Sequence, residues 1–389
     1  MADSFLREFH RCLLCHDPPC RAGCPAGVNP REFIRKVRFD NIAGAARSLR
    51  RANVLAGSCA WICPCGATCA ARCTAEGLDR PIDIGALQRF VTDWERSAVG
   101  SRQSAIGSRQ SAIGNPVAAI GAGPAGLAAA ADLALRGRRV VVFDGAAAPG
   151  GMLRIAIPRF RLPAEVLDHD VSIVEALGVE FRCGRQVADL DDLFAEGFAA
   201  VFVATGVQTP RRMGVPGEAL EGVVPALDLL VRANAGRAMD LGRRVVVIGG
   251  GDVALDAART LRRAGARVTL AYRRARADMP AYAPEVAAAL DEGVEFLFDV
   301  VPVEVRGERR VGTVVLQRVR WEAGGRDARH REAEGSPLVL EADSVVVAVG
   351  QENRAAFGLD AGPGGLIRVD PETGMTSRDG VFAAGDVVT

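Results

Sequence analysis

Residues 117–126 read VAAIGAGPAG, and this stretch decides the fold. Val117–Ile120 is an apolar run short enough for a buried strand. The chain then turns through Gly121-Ala122-Gly123-Pro124-Ala125-Gly126 into an alanine-rich helix predicted to reach about Leu135. A second strand is predicted over Arg139–Phe143, ending on Asp144. Gly121 permits the tight turn, Gly123 lets the backbone approach a pyrophosphate, and Gly126 lets helix and strand pack closely. The helix N-terminus offers N–H donors and a positive dipole end to the phosphates. Asp144, 23 residues after Gly121, stands where a carboxylate accepts from ribose hydroxyls. The glycines alone are a weak signal; between a strand and a helix, with the acid at this distance, they are a strong one.

The same plan recurs downstream. Arg244–Ile248 reads as a strand, Gly249-Gly250-Gly251-Asp252-Val253-Ala254 opens a helix to about Arg263, and a strand Arg267–Tyr272 ends on Arg273-Arg274. Ala254 in place of the third glycine allows slightly wider helix packing. Arginine where the first unit has Asp144 points to a 2′-phosphate, hence NADPH over NADH, with NADH possible. A blander account exists, because seven Arg-Arg pairs occur and Lys36 is the only lysine, a pattern of coding bias. Position at a strand end favours the phosphate.

Two such units in one chain are the arrangement of flavoprotein reductases, one for FAD and one for the nicotinamide cofactor. The first is the FAD unit, since Pro149-Gly150-Gly151 follows Asp144 closely. Ala204-Thr205-Gly206 and Ala348-Val349-Gly350 each end an apolar strand, and Gly380–Asp386 (GVFAAGD) brings Gly385 and Asp386 to the flavin side.

Composition agrees. At 389 residues the chain holds two or three domains, and 49% hydrophobic with 5% aromatic residues and 44 glycines suits α/β layers. A net charge of +1 excludes a field that would draw nucleic acid or an anionic membrane. The segment Met1–Cys12 is charged and mixed rather than a signal peptide, and no run of about eighteen apolar residues offers a membrane span. A cytoplasmic protein is expected.

Nine of the ten cysteines lie between Cys12 and Cys73, and the tenth, Cys183, is expected to be a small buried residue at a strand end. In a reducing compartment such density points to metal rather than disulfides. Cys12-x2-Cys15-x4-Cys20-x3-Cys24-Pro25 is followed by Cys59, Cys63-Pro64, Cys65, Cys69 and Cys73. Thiolates this close can wrap a cluster corner by corner. A proline after the last cysteine also occurs in bacterial two-cluster ferredoxins, whose fourth cysteine ligates the other cluster. Zinc is the rival, but only Cys12/Cys15 has the C-x2-C spacing that two zinc-binding pairs would show. Iron–sulphur chemistry is therefore expected. Between block and first strand, Ser101–Gly107 and Ser108–Gly114 repeat SRQSAIG, a flexible linker rather than a solenoid.

The predicted class is thus α/β, two Rossmann-like dinucleotide domains preceded by a small α-helical iron–sulphur domain. The boundaries expected are 1–98 for the clusters, 99–115 for the linker, 116–212 and 351–389 for FAD, and 213–350 for NAD(P)H.

The chain resembles the NADPH-dependent glutamate synthase small-subunit family and, in its motifs, the N-terminal half of dihydropyrimidine dehydrogenase. The likeness rests on the cysteine run 12–24, on Cys59-x3-Cys63-Pro64 with Cys69 and Cys73, and on Pro81–Gln88 (PIDIGALQ). It continues through both glycine loops, Gly150–Pro163 (GGMLRIAIPRFRLP), Arg273–Arg274 and Gly380–Asp386. It implies two [4Fe–4S] clusters with crossed ligation: Cys12, Cys15, Cys20 and Cys73 for one, Cys24, Cys63, Cys69 and the amide of Gln88 for the other. Without the resemblance, Gln88 would be an ordinary helix-surface residue; Cys59 and Cys65 receive no role. Implied FAD contacts include Gly121, Gly123, Pro124, Ala125, Gly126, Asp144, Met152, Arg161, Val187, Gly385 and Asp386. Implied NADPH contacts include Gly249, Gly250, Gly251, Asp252, Val253, Arg273, Arg274, Ala348, Val349 and Gly350.

The activity implied is electron input: hydride from NADPH to FAD, then single electrons through the clusters to a partner subunit or acceptor protein. No acid–base catalytic residue is expected, since the chemistry belongs to the cofactors. Family members continue past this point through a helix facing the flavin, so the resemblance also implies a C-terminally truncated copy. Two alternatives stand beside it. One is a non-enzymatic iron–sulphur fragment. The other is a disulfide reductase, which needs a redox cysteine pair where the region after Pro116 has only Cys183.

Overall fold

The computed structural model describes residues 2–98, 114–237, 239–321, 330–332, 335, 337–353 and 357–388. Most of the repeated-heptapeptide linker therefore lies outside the described residues. Packing divides the chain into two units, residues 1–154, 159–206 and 354–389 in the first, 155–158 and 207–353 in the second.

The first unit opens with helices α1 Ala2–Arg11, α2 Pro19–Ala22, α3 Pro30–Arg38, α4 Ile42–Ala52 and α5 Ala56–Ile62, then short 3-10 turns between Cys65 and Gly77, then α6 Ile84–Ala98. Helix α3 turns Phe33, Ile34 and Val37 inward, at the spacing one helix face requires. Asn41 caps α4 by accepting from the Gly44 N–H at 2.8 Å, and Asp83 caps α6 by accepting from the Ala86 N–H at 3.0 Å. Phe9, Phe33, Ile34, Leu49, Leu87 and Val91 form the core here, and Cys12, Cys20, Cys24, Cys65 and Cys73 pack against it. Burying each such apolar side chain contributes roughly 1.5–3 kcal/mol. Glu8 binds the segment before α6 to α1, accepting from Arg80 at 2.9 Å and from the Asp83 N–H at 3.0 Å.

An α/β layer follows, with β1 Val117–Ile120, α7 Pro124–Leu135, β2 Val140–Asp144, α8 Met152–Ile155, α9 Ala164–Ala176, β3 Glu180–Cys183, α10 Leu190–Ala195 and β4 Ala200–Val203. In the second unit come β5 Thr209–Pro210, β6 Val223–Pro225, α11 Ala226–Asn234, β7 Arg244–Ile248, α12 Asp252–Arg263, β8 Arg267–Ala271, α13 Ala283–Asp291 and β9 Glu295–Leu297. Strands β10 Val300–Arg306, β11 Thr313–Trp321, β12 His330–Glu332, β13 Leu338–Glu341, β14 Ser344–Val347 and β15 Gln351–Glu352 complete it. The chain then returns to the first unit with β16 Val381–Ala383.

The first sheet runs β16-β4-β1-β2-β3, parallel throughout, with Val117 level with Val140 on one side and Ala200 on the other. Its central strands are near-continuous buried apolar runs, as a parallel sheet covered on both faces requires. The second parallel sheet runs β6-β14-β7-β8-β9. The predicted class holds. What the alternation of strands and helices did not announce is the antiparallel sheet of β10 to β13 inserted after β9, where consecutive β-branched strands pair with one another instead of crossing over.

Candidate cofactor sites

Backbone geometry at the first loop follows from its glycines. Gly121 has φ +103°, and a Cβ there would lie 2.3 Å from the Ala204 carbonyl oxygen, so the loop rests directly on the turn after β4. A Cβ on Gly126 would lie 1.9 Å from the Gly121 oxygen, which closes helix α7 onto the strand end. Gly123 differs. Its Cβ would meet nothing nearer than Gly151 Cα at 3.9 Å, leaving open space where a ligand's phosphates would approach. The Gly150-Gly151 turn lies against this loop, with the Gly150 N–H donating to the Ala122 oxygen at 2.8 Å. Asp144, at the end of β2, accepts from the Ala122 and Ala146 N–H groups, both at 2.7 Å. Each carboxylate oxygen keeps further acceptor capacity for a hydroxyl.

The last motif joins the same place. A Cβ on Gly385 would sit 2.8 Å from the Ala125 side chain, so the GVFAAGD segment packs on the first turn of α7, with Asp386 exposed beside it. Met152 and Arg161 are half-buried, on α8 and on the loop into α9. Val187 packs against the core that holds Ile120, Phe143 and Val387.

In the second unit Gly249 has φ +148° and would clash, as alanine, with the Ala348 oxygen at 2.4 Å; this brings the Ala348-Val349-Gly350 turn to the loop. Gly250 is closed off by the Tyr272 ring, while Gly251 has nothing nearer than Pro280 at 4.0 Å and faces open space. Asp252 fixes the next loop by accepting from the Tyr282 N–H at 3.0 Å. The two arginines after β8 part company. Arg273 is exposed, whereas Arg274 is 8% exposed and stacks its guanidinium 4.7 Å from the centre of the Trp321 ring.

Cys12, Cys15, Cys20 and Cys73 line one cavity, with Pro18, Pro19, Ala75 and Ile82 as its apolar walls. The Ile82 N–H points to the Cys73 sulphur at 3.5 Å, and Thr74 Oγ1 lies 3.0 Å from that of Cys15. Burial pushes the Cys20 thiol up to about 12 and raises that of Cys12, so ligation here would release protons. Such a donor set, soft and walled by apolar groups, fits an iron–sulphur cluster.

Beyond α5, Cys63, Cys65 and Cys69 are neighbours. The Cys65 thiol, with one proton to share between its two neighbours, draws Cys63 down to about 6 and Cys69 to about 7, while its own is raised. Gln88 is buried, not on the helix surface, and its Nε2 donates to the Ala56 carbonyl at 2.9 Å. That bond orients the amide so that Oε1 is the atom left to act as a ligand. Cys59 has a different environment: Asn53 Nδ2 donates to its sulphur at 3.0 Å, and burial pushes it up to about 11.

The comparisons with known proteins bear on this arrangement. Residues 115–389 match the family described as pyridine nucleotide-disulphide oxidoreductase. The chain belongs to that family. Residues 2–99 also match dihydropyrimidine dehydrogenase domain II, 4Fe-4S cluster, so an iron–sulphur domain precedes the pyridine nucleotide oxidoreductase fold. The chain is 37% identical to the NAD-dependent dihydropyrimidine dehydrogenase subunit PreT of Escherichia coli, over 98% of this chain and 88% of that protein. It is 36% identical to the glutamate synthase [NADPH] small chain of Halomonas elongata, over 98% of this chain and 85% of that one. Among solved structures, FprA of Mycobacterium tuberculosis in complex with NADPH shares the fold at 21% identity, with a TM-score of 0.62 over 71% of this chain and 79% of that one.

As a pyridine nucleotide-disulphide oxidoreductase, the chain departs from one expectation and adds two groups of residues. Cys183 is half-exposed rather than buried, because β3 is the sheet's edge strand, with no strand among the described residues paired along its outer side. It is also the sole cysteine of this oxidoreductase region, so a redox disulfide pair is absent from the sequence there. Cys65 joins the second cysteine group; its place between the assigned ligands Cys63 and Cys69 was the available signal. Arg50, Glu95 and Asp170 form a buried charge cluster that no motif announces. Among the described residues no helix is long and apolar enough to cross a membrane.

Proposed function

We propose that this chain is the electron-input component of a multi-subunit oxidoreductase, linking NADPH, FAD and two [4Fe–4S] clusters to a partner subunit. One observation carries the proposal: cysteines from both ends of the cysteine block line a single cavity, in the same unit as the glycine cradle. Cys12, Cys15, Cys20 and Cys73 hold one cluster, and Cys24, Cys63, Cys69 and Gln88 Oε1 the other. When bound, FAD supplies the exchange between two-electron and one-electron chemistry. The protein binds, orients and excludes water. Gly121, Gly123 and Gly126 with the N-terminus of α7 receive the pyrophosphate, and Asp144 accepts from the ribose. Met152, Arg161, Val187, Gly385 and Asp386 complete the flavin's surroundings.

In the second unit, Gly249 to Val253 and Ala348 to Gly350 hold the nicotinamide nucleotide. The names of the relatives divide between NAD and NADPH, so the choice rests on residues. Exposed Arg273 meets the 2′-phosphate, while Arg274, packed on Trp321, holds the strand end in place. The division into 1–98, 116–212 with 351–389, and 213–350 follows from these roles.

Anaerobically prepared protein is expected to carry about eight iron and eight acid-labile sulphide per chain with stoichiometric flavin, and NADPH should bleach both chromophores. Zinc without sulphide would overturn the cluster assignment. Arg273→Ala should weaken NADPH about tenfold or more and leave NADH nearly unchanged, since only NADPH has the phosphate. Equal losses would return the arginine to a general positioning role.

A further inference from the structure

Arg50, in the last turn of α4, is 2% exposed, and its side chain is wholly buried. Its Nε donates to Glu95 on α6 at 2.8 Å, and one terminal nitrogen donates both to Asp170 on α9 at 2.5 Å and to the Val54 carbonyl at 2.7 Å. The other Asp170 oxygen accepts from the Ser58 N–H, in the first turn of α5, at 2.7 Å. A Cβ on Gly57 would lie 2.6 Å from Asp170 Oδ1, so glycine is what admits the carboxylate. His169 Nε2 stands 3.6 Å from Glu95. Burial alone would raise the Glu95 carboxyl, but the nearby His169 imidazole and the hydrogen bond and charge of Arg50 hold it below the usual carboxylate range.

Helix α9 faces two parts of the first unit. Toward the flavin cradle, a Cβ on Gly150 would meet Leu167 at 2.8 Å, and Arg154 pairs with Asp168 at 2.7 Å. Toward the cysteine block, the next two residues, His169 and Asp170, meet α5 and α6. Those are the helices that lead into Cys63 and carry Gln88. Gln88 and Asp170 grip Ala56 and Ser58, two residues apart in the same turn. Buried ion clusters seldom stabilise more than apolar residues of equal volume would, so their use lies in geometry.

We propose that Asp170 and Arg50 are positioning residues for electron transfer, fixing the distance between the flavin cradle and the Cys24/Cys63/Cys69/Gln88 cluster. This rests on the function proposed above. One NADPH is oxidised to NADP⁺, two clusters each gain one electron, and one proton is released to water. The hub contributes no charge or proton to the step; it sets how far each electron must travel, and electron transfer between buried centres slows as that distance grows.

The test uses holoprotein with its full flavin and iron content, mixed anaerobically with NADPH. Flavin bleaching is followed by stopped flow and cluster reduction by freeze-quench paramagnetic resonance. Asp170→Asn, and the apolar triple variant Arg50→Met, Glu95→Leu, Asp170→Leu, should bleach flavin at the wild-type rate. Both should reduce the clusters several-fold more slowly, while dithionite reduces them fully, and Arg50→Lys should recover part of the rate. Wild-type cluster reduction in the cofactor-replete variants overturns the proposal. So does loss of flavin or iron in all of them, which would make the hub structural alone. If the wild type itself holds iron and flavin yet passes no electrons from NADPH to a cluster, the underlying function is what fails.

Discussion

Cys65 shows how much one atom's surroundings decide. Its thiol serves both Cys63 and Cys69, so it tunes two sulphurs without needing to bind iron itself. Cys65→Ala should keep the iron content and lower the potential of one cluster, because a hydrogen bond to a ligand sulphur is lost. Gln88→Ala should alter the spectrum of that same cluster and spare the other. Iron loss in Cys65→Ala with a silent Gln88→Ala would make the thiol the ligand. Asp343 offers a second residue-level test. The side chain of Arg244, donating at 2.7 Å, and the N–H groups of Arg244 and Arg243 hold its carboxyl at about 2. The unfolded chain protonates it near pH 3.9, so its contribution is complete above that pH and disappears as pH falls toward 2. Asp343→Asn should lower the stability of the second unit at neutral pH and flatten its acid unfolding limb, so that circular dichroism shows variant and wild type converging as pH falls toward 2.

At the scale of elements, the glycine loops separate packing from binding. Gly126→Ala drives a methyl group into the Gly121 carbonyl and should reduce both the melting temperature of the apoprotein and flavin content. Gly123→Ala meets only open space, so the apoprotein should melt normally while flavin fails to bind. If the two variants lose apoprotein stability equally, the cradle is not where the ligand sits. Both loops were legible in the sequence because strand, turn and helix are set by local pattern. Arg50, Glu95 and Asp170 were not, since they come together only when α4, α6 and α9 pack. The same is true of Gln88: its spacing reads as helix surface, and only the neighbouring α5 buries it. Arg273 and Arg274 were indistinguishable as letters; both guanidinium groups face the Trp321 ring, at 5.6 and 4.7 Å, and burial is what separates them.

For the whole molecule, two packing units imply two cooperative transitions. Calorimetry should resolve them, with NADP⁺ raising the transition of the second unit and flavin release marking that of the first. A single transition shifted as a whole by NADP⁺ would show the units to be energetically one. The connectivity has a further consequence during synthesis. Strand β16 fills the place beside β4, Val381 level with Val201, although the main segment of the second unit, residues 207–353, is threaded between them in the chain. A ribosome therefore finishes that unit while the outer edge of β4 still lacks its neighbour. The nascent protein passes through a stage in which one lobe can close and the other exposes an open strand edge, the kind of surface that invites pairing with another chain. Translation speed through residues 354–388 sets how long that exposure lasts.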